Sequence, residues 1–184
     1  MAIDYFTKWV EAESLSWIAE TNVRQFFWKS IICHFGLPRC IITDNGRQFD
    51  NHEFEGLYTE HGIQHRFISM AHPQTNGEAE VTNRTILQGL RTRLDQAKGM
   101  WAKELPSIPW AYHKTPRTVT NEMPFNLVFG AKAIIPIEID VPILWVQQYD
   151  EARNLTHLLL NMDLLEEARD KAHLQMAAYW QRVA

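Results

Sequence analysis

The sequence predicts an α/β fold, because segments with the two-residue period of strands alternate with segments that carry apolar residues at helical spacing. The clearest strand is the apolar run Cys40-Ile41-Ile42, which turn residues bound and which is expected to be buried. The clearest helix begins near Glu80 and reaches about Lys98. With 184 residues, 46% hydrophobic and 22% charged, the chain has the composition of a soluble globular protein with a core.

Further elements follow in order on both sides of that strand. Strands at 2–5 and about 8–13 are predicted to form a hairpin, and a helix follows that ends at Gly36. Downstream of the apolar run we expect a helix at 51–61 and a strand at about 64–68.

The second half of the chain is predicted to be mainly helical. One helix is expected at 101–113, with a break at its prolines, and a short one ends at Gly130. Apolar residues recur at near-heptad steps from about Tyr149, interrupted at Arg169, which predicts an amphipathic helix that packs on the core or on a partner. We therefore divide the chain into a core at 1–140 and a linker with a connector helix at 141–184.

Charge and cysteine content exclude several classes of protein. A net charge of −4 argues against a generally basic nucleic-acid coat, yet residues 81–120 hold seven basic against two acidic residues, a local charge of +5. Residues 1–80 hold six basic against eleven acidic residues.

No apolar stretch has the length of a membrane span and no targeting signal is visible. Cys33 and Cys40 are expected to be buried small hydrophobes in a reducing compartment.

Two carboxylates stand at positions that suit a metal site. Asp44 closes the apolar strand, Glu80 opens the long helix, and 35 residues (45 to 79) separate them. Ligand sites of α/β folds lie at the carboxyl ends of strands, and Mg²⁺ prefers oxygen ligands such as carboxylates. From the two acids alone the alternative stays open that Asp44 caps an Asn45-Gly46 turn and that Glu80 is a solvated helix residue.

The residues around both acids resemble the integrase core of retroviruses and LTR retrotransposons, most closely the gypsy type. The resemblance covers residues 2 to about 140. The matching segments agree in order and spacing: Asp4-Tyr5-Phe6-Thr7-Lys8-Trp9, Thr43-Asp44-Asn45-Gly46, His72-Pro73-Gln74-Thr75-Asn76-Gly77, Glu80, Asn83-Arg84, Pro124-Phe125 and Phe129-Gly130. Such a resemblance implies a ribonuclease H-like fold, a mixed sheet flanked by helices, and an activity of DNA strand transfer and 3′-end processing.

The same resemblance assigns roles to individual residues. Asp44 and Glu80 would be the catalytic acids and the metal ligands, in a site that takes two Mg²⁺ or Mn²⁺ ions in the intact family. DNA would be contacted by Asn76 in the loop and by Asn83, Arg84 and Arg91, which share a helix face with Glu80, Leu87 and Gln88. DNA is the expected partner, self-association is left open, no membrane is involved, and the expected location is the nucleus, reached through the cytoplasm.

One departure from the family pattern concerns the first of its three acids. That acid sits on a strand upstream of Asp4 and would precede Met1, whereas Asp4 itself is expected to organise the turn into Thr7-Lys8. We therefore expect an N-terminally truncated fragment that lacks the first, central strand, has an incomplete two-metal site, folds poorly alone and is catalytically inactive. Two alternatives stay open: a domesticated, non-catalytic DNA-binding or dimerisation module, and a relic of an inserted element with no role.

Overall fold

The computed structural model of the protein describes residues 1–67, 81–89, 91–92, 105–131 and 151–183. The chain forms two compact units, each of which is described by itself. The first comprises Met1–Ala2 and Glu11–Ile108, and the second comprises Ile3–Val10 and Pro109–Ala184. The predicted boundary at 140–141 lies outside the described residues and stays a prediction.

The first unit begins with a helical segment that ends where the sequence predicts. It consists of α1 (Glu20–Phe26), a π-helical stretch (Phe27–Ile32) and α2 (Cys33–Phe35). Gly36 ends it with a φ of +84°, a conformation that costs a glycine little because it has no Cβ. The wider π-helical turn is not visible in the spacing of the apolar residues.

A strand, a helix and a second strand follow as one β–α–β succession. Strand β3 (Cys40–Thr43) pairs in parallel with β4 (Gln64–Phe67), so that Cys40 lies opposite Gln64 and Thr43 opposite Phe67. Helix α3 (His52–Glu60) makes the crossover that parallel strands require. Its residues Phe54 and Tyr58 form a buried cluster with Val23 and Ile63. The predicted helix at 51–61 is thus confirmed with one residue fewer at each end, and the predicted strand at about 64–68 is confirmed over its described residues, Gln64–Phe67.

The expectation that β3 is fully buried is wrong. Ile41 packs against the buried cluster and Thr43 is buried, whereas Ile42 on the opposite side is 46% exposed. Cys40 shares that outer side, and Cys33 lies exposed at the end of the helical segment, so both cysteines are free and exposed, contrary to the prediction. The reason is that an unbroken apolar run does not reveal whether a strand is covered on one face or on two.

The hairpin predicted at the N-terminus is present with shorter strands, β1 (Ala2–Ile3) and β2 (Val10–Glu11). Its turn is organised by Asp4, as expected. The backbone N–H and the hydroxyl of Thr7 donate to Asp4 Oδ2 at 2.8 and 2.6 Å. The Asp4 N–H donates to the carbonyl of Trp9 at 2.8 Å. The carboxylate of Asp4 is therefore engaged within its own turn.

The second unit packs the end of this hairpin against the part of helix α5 (Ser107–His113) from Pro109 onward and against helix α6 (Pro124–Phe129). The Trp9 ring stacks on the His113 ring at 3.6 Å, with an angle of 9° between the planes, and Phe125 and Phe129 surround it. His113 Nε2 lies 2.9 Å from the carbonyl oxygen of Val10 and 3.2 Å from its nitrogen. Helix α5 starts only at Ser107, so Pro109 falls in its first turn, where no N–H is needed.

The last helix, α7 (Glu151–Val183), spans 33 residues and contacts α6. Arg169 Nε donates to the carbonyl of Leu127 at 3.0 Å, so the residue that interrupts the near-heptad pattern caps the end of α6. Gly130 ends α6 with a φ of +65°, and a Cβ there would lie 3.3 Å from the Leu165 side chain.

Among the described residues, no helix is both long and apolar enough to cross a bilayer.

The buried His113 makes the stability of the second unit depend on pH. Burial lowers its pKa to about 4, against an opposing effect of the hydrogen bond to Val10, and Arg117 lowers it further. Between pH 6.5 and 4 the unfolded chain therefore binds a proton that the folded chain does not, so stability falls as the pH is lowered through this window. We expect a loss of roughly 3 kcal/mol, measured as the urea midpoint by tryptophan fluorescence.

The matched control for this prediction is His113→Gln, which retains a hydrogen-bonding side chain without a group that titrates in this range. Its urea midpoint should depend on pH less steeply between pH 6.5 and 4 than that of the unmodified chain. Equal slopes in the two chains would show that His113 is not the group responsible.

Candidate active site

Asp44 lies exposed directly after the last residue of β3, at the carboxyl end of a parallel strand. Its Oδ1 accepts a hydrogen bond from the Gly46 N–H at 3.1 Å, so the Asn45-Gly46 turn that was left open as the alternative role of Asp44 is present. This contact does not exclude a metal ligand, because one carboxylate offers two oxygens and several lone pairs. The capping role and the ligand role of Asp44 are therefore compatible.

The loop after Asp44 is anchored to the start of α3. The N–H groups of Phe49 and Asp50 donate to the carbonyl of Gly46 at 2.9 and 3.2 Å. Asn51 is the N-cap of α3: its side-chain oxygen accepts from the Phe54 N–H at 3.0 Å, and its Nδ2 donates to the carbonyls of Arg47 and Gln48. One side chain thus connects the loop that carries Asp44 with a helix packed in the core.

Beside Asp44 in the sequence, at Thr43, lies a partly buried polar contact that the sequence did not suggest. Thr43 Oγ1 and His65 Nε2 are 2.8 Å apart, and Thr43 is only 8% exposed. Burial lowers the pKa of His65, against an opposing effect of the Asp50 charge, and so favours the neutral imidazole. Burial also raises the pKa of the neighbouring Tyr58 to about 12. The period-two alternation of 64–68 indicated a strand, but it carried no signal for this contact.

The helix predicted to begin near Glu80 is described at residues 81–89 and 91–92, and we call it α4. Its inner side is formed by the buried Thr82 and Ile86 and by Gly89, where a Cβ would lie 3.1 Å from the Ile108 side chain. The predicted DNA-binding residues of this helix are all exposed: Asn83, Arg84 and Arg91. Leu87 and Gln88, assigned to the same face, are exposed as well.

Two of the predicted site residues, Asn76 and Glu80, lie outside the described residues. The distance from Asp44 to Glu80 is accordingly not part of the described geometry, and the two-acid site stays a prediction. Within the described part of the chain, His, Cys, Asp and Glu side chains do not come together in any group of three or more that could hold a metal ion. Asp44 by itself has the hard oxygen chemistry that Mg²⁺ requires and is accessible to solvent.

Comparison with known proteins agrees with this arrangement of elements. Residues 1–73 match the integrase core domain. The Tf2-3 and Tf2-4 transposon polyproteins of Schizosaccharomyces pombe are each 27% identical to this chain over 122 residues, which is 66% of the chain. The match covers only 9% of the length of these curated relatives.

Solved structures of retroviral integrases share the fold. The catalytic core domain of HTLV-2 integrase, solved with magnesium in a trimeric form, is 21% identical with a TM-score of 0.57, over 67% of this chain and 79% of that one. The intasome of simian T-cell lymphotropic virus, solved with the PP2A regulatory subunit B56 gamma, is 22% identical with a TM-score of 0.62, over 77% of this chain and 51% of that one. The ribonuclease H-like fold of integrase cores is thus established for this chain.

Asn51 offers a test of how firmly the loop after Asp44 is held. Asn51→Ala removes the acceptor for the Phe54 N–H and the donor to two loop carbonyls. We expect the protection of the Phe54 amide against hydrogen exchange to fall by about fivefold, in line with the ~1 kcal/mol that an N-cap contributes. In Asn51→Asp, which keeps the acceptor, that protection should persist. Unchanged protection in Asn51→Ala would show that the cap does not stabilise this end of α3.

Proposed function

We propose that this chain is a segment of the catalytic core of a gypsy-type retrotransposon integrase, which joins DNA strands in a reaction that depends on Mg²⁺ or Mn²⁺. The observation that carries the proposal is the presence, within the same compact unit, of two exposed features. One is the Asp44 carboxylate at the carboxyl end of β3, and the other is the outer side of α4 with Asn83, Arg84 and Arg91. The match of residues 1–73 to the integrase core domain supports the same activity.

In this proposal Asp44 and Glu80 hold the metal, and the polar side chains of α4 hold the DNA. When bound, Mg²⁺ supplies Lewis-acid activation of the attacking oxygen and stabilises the leaving oxygen of the phosphodiester. Arg84 and Arg91 are two turns apart along α4, so their guanidinium groups can bind two different phosphates of the DNA backbone. Asn83 and Asn76 contribute neutral hydrogen bonds that fix the position of the bound backbone.

Residues 1–184 supply two of the three acids that the resemblance implies. We propose that the third comes from a strand preceding Met1 that pairs with the free side of β3. Among the described residues β3 has a single ladder partner, β4, so its other edge is available for such a strand. The 184-residue chain alone would then hold its metal weakly and would not catalyse strand transfer.

Extending the chain upstream tests this assignment. A longer chain that includes an in-frame strand with an Asp should join DNA ends in the presence of Mg²⁺ or Mn²⁺, whereas the 184-residue chain should not. Asp44→Asn and Glu80→Gln should each abolish joining in the longer chain, because each removes a charged metal ligand. The assignment would be refuted if the 184-residue chain joined DNA with an activity that Asp44→Asn abolished.

DNA binding by the 184-residue chain separates an integrase from a non-catalytic module. Replacing Arg84 or Arg91 with alanine should reduce the slope of log K against log salt by about 1 each, since each removes one phosphate contact. Arg24→Ala is the matched control, because Arg24 is a cation on α1 that pairs with Glu53 at 2.6 Å and is not on α4. The measurement is fluorescence anisotropy with labelled duplex DNA over a series of salt concentrations.

Glu80→Gln then decides between the two candidate functions in the same assay. If the affinity for DNA rises with Mg²⁺ in the unmodified chain and this rise is lost in Glu80→Gln, the metal site takes part in binding, as an integrase requires. If binding depends on Arg84 and Arg91 but is indifferent to Mg²⁺ and to Glu80→Gln, the domesticated DNA-binding or dimerisation module is the better description. Loss of binding in Arg24→Ala alone would contradict both.

Self-association and nuclear location belong to the same proposal. The HTLV-2 integrase core was solved in trimeric and in dimeric forms. Joining DNA into a chromosome requires access to the nucleus, so we propose DNA as the partner and the nucleus as the place of action, with further copies of the chain in the assembly.

A further inference from the structure

The hydrogen bond between Thr43 and His65 connects the two strands at the residue immediately before Asp44. In the parallel ladder, His65 lies opposite Ile41 and Thr43 lies opposite Phe67. Because side chains alternate between the two faces of a strand, Ile41 and Thr43 share one face of β3, the face that is packed against the core. The diagonal neighbours Thr43 and His65 therefore meet on the covered face, 2.8 Å apart.

The His65 ring is held by contacts other than this hydrogen bond. The Tyr58 ring of α3 lies 4.4 Å from it with an angle of 37° between the planes, and the Phe67 ring lies 4.4 Å from it at 64°. A ring packed between two aromatic side chains has little freedom to rotate, so its Nε2 atom is kept at the distance that the Thr43 hydroxyl needs. Helix α3, through Tyr58, thus supports the orientation of a side chain in β4.

Asp44 sits between two local restraints. On its N-terminal side, Thr43 is the last residue of the ladder, and its side chain is tied to His65. On its C-terminal side, Asp44 Oδ1 accepts from the Gly46 N–H at 3.1 Å. Without the first restraint the end of β3 would depend on backbone hydrogen bonds alone, and strand ends fray readily. The direction of the Asp44 carboxylate is therefore coupled to a contact that lies on the opposite face of the strand.

We propose that His65 is a positioning residue for Asp44: through its hydrogen bond to Thr43, it fixes the carboxyl end of β3 so that the Asp44 carboxylate is preorganised to bind a divalent cation. The inference rests on the proposed function in one respect, namely that Asp44 is a metal ligand. A purely structural role would also satisfy the buried Thr43 hydroxyl, so the test needs a readout at Asp44 itself.

The test compares variants that change the hydrogen bond with one that changes only the packing. His65→Phe keeps a ring between Tyr58 and Phe67 and removes Nε2, whereas Thr43→Val removes the hydroxyl with little change of shape. His65→Gln returns a side-chain amide that can bond to Thr43. Tyr58→Phe is the matched control, because it keeps the ring against His65 and leaves the Thr43–His65 hydrogen bond in place.

Two measurements are made on each 184-residue variant. The first is the paramagnetic broadening of the Gly46 amide resonance during titration with Mn²⁺, with Asp44→Asn as the chain that lacks the ligand. We expect His65→Phe and Thr43→Val each to weaken Mn²⁺ binding roughly fivefold to tenfold, the value of one hydrogen bond. The double variant should be no weaker than either single variant, since both remove the same contact. His65→Gln should recover much of the affinity, and Tyr58→Phe should match the unmodified chain.

The second measurement needs no metal and keeps the two proposals distinguishable. Hydrogen exchange of the Gly46 amide reports whether the Asp44 turn is held, and we expect exchange to accelerate in His65→Phe and Thr43→Val but not in Tyr58→Phe. If Mn²⁺ binds the unmodified chain and both variants equally, the positioning role is overturned while Asp44 remains a ligand. If Mn²⁺ does not broaden Gly46 in any chain, the ligand assignment of Asp44 fails. In that case unchanged Gly46 exchange in both variants overturns the positioning role as well.

Discussion

Parallel pairing of β3 with β4 over four residues each brings together the parts of the first unit on which the candidate site depends. A parallel pair requires a crossover, and α3 provides it by packing Phe54 and Tyr58 into a cluster with Val23 and Ile63. The burial of these side chains removes apolar surface from water and so holds the two strands in one register. The Asp44 carboxylate emerges at the end of this ladder, and the loop after it is tied back to α3 by Asn51.

Helix α4 separates residues that stabilise the fold from residues that face solvent. Its inner side carries the small or buried residues Thr82, Ile86 and Gly89, and a larger side chain at Gly89 would require the Ile108 side chain to shift, because a Cβ there would lie 3.1 Å from it. Its outer side carries an amide and two guanidinium groups in water, where they contribute little to the stability of the fold. Exposed basic side chains of this kind change the free energy of folding little, although the net charge of the whole chain is negative.

The second unit shows that several residues of the family motifs are structural. Asp4 uses its carboxylate to accept from Thr7, and Trp9 is stacked between His113 and the phenylalanines of α6. Arg169 satisfies a carbonyl at the end of α6 that would otherwise lack a partner in the helix. The motif residues nearest the N-terminus therefore stabilise the molecule by local hydrogen bonds and ring packing, whereas Asp44 stays open to solvent.

The sequence by itself determined the order of the elements, the helix ends at Gly36 and Gly130 and the exposed face of α4. These features follow from local rules, namely hydrophobic period and glycine conformations, that a single segment carries within itself. The turn role of Asp4 was implied by the resemblance to integrase cores. Only the tertiary structure decided that β3 is covered on one face, that Cys33 and Cys40 are exposed, and that Arg169 caps α6. It alone also brought His65 to Thr43 and His113 to Trp9, because these contacts join residues distant in the sequence, and no periodicity in a single strand or helix specifies which distant side chain will face it.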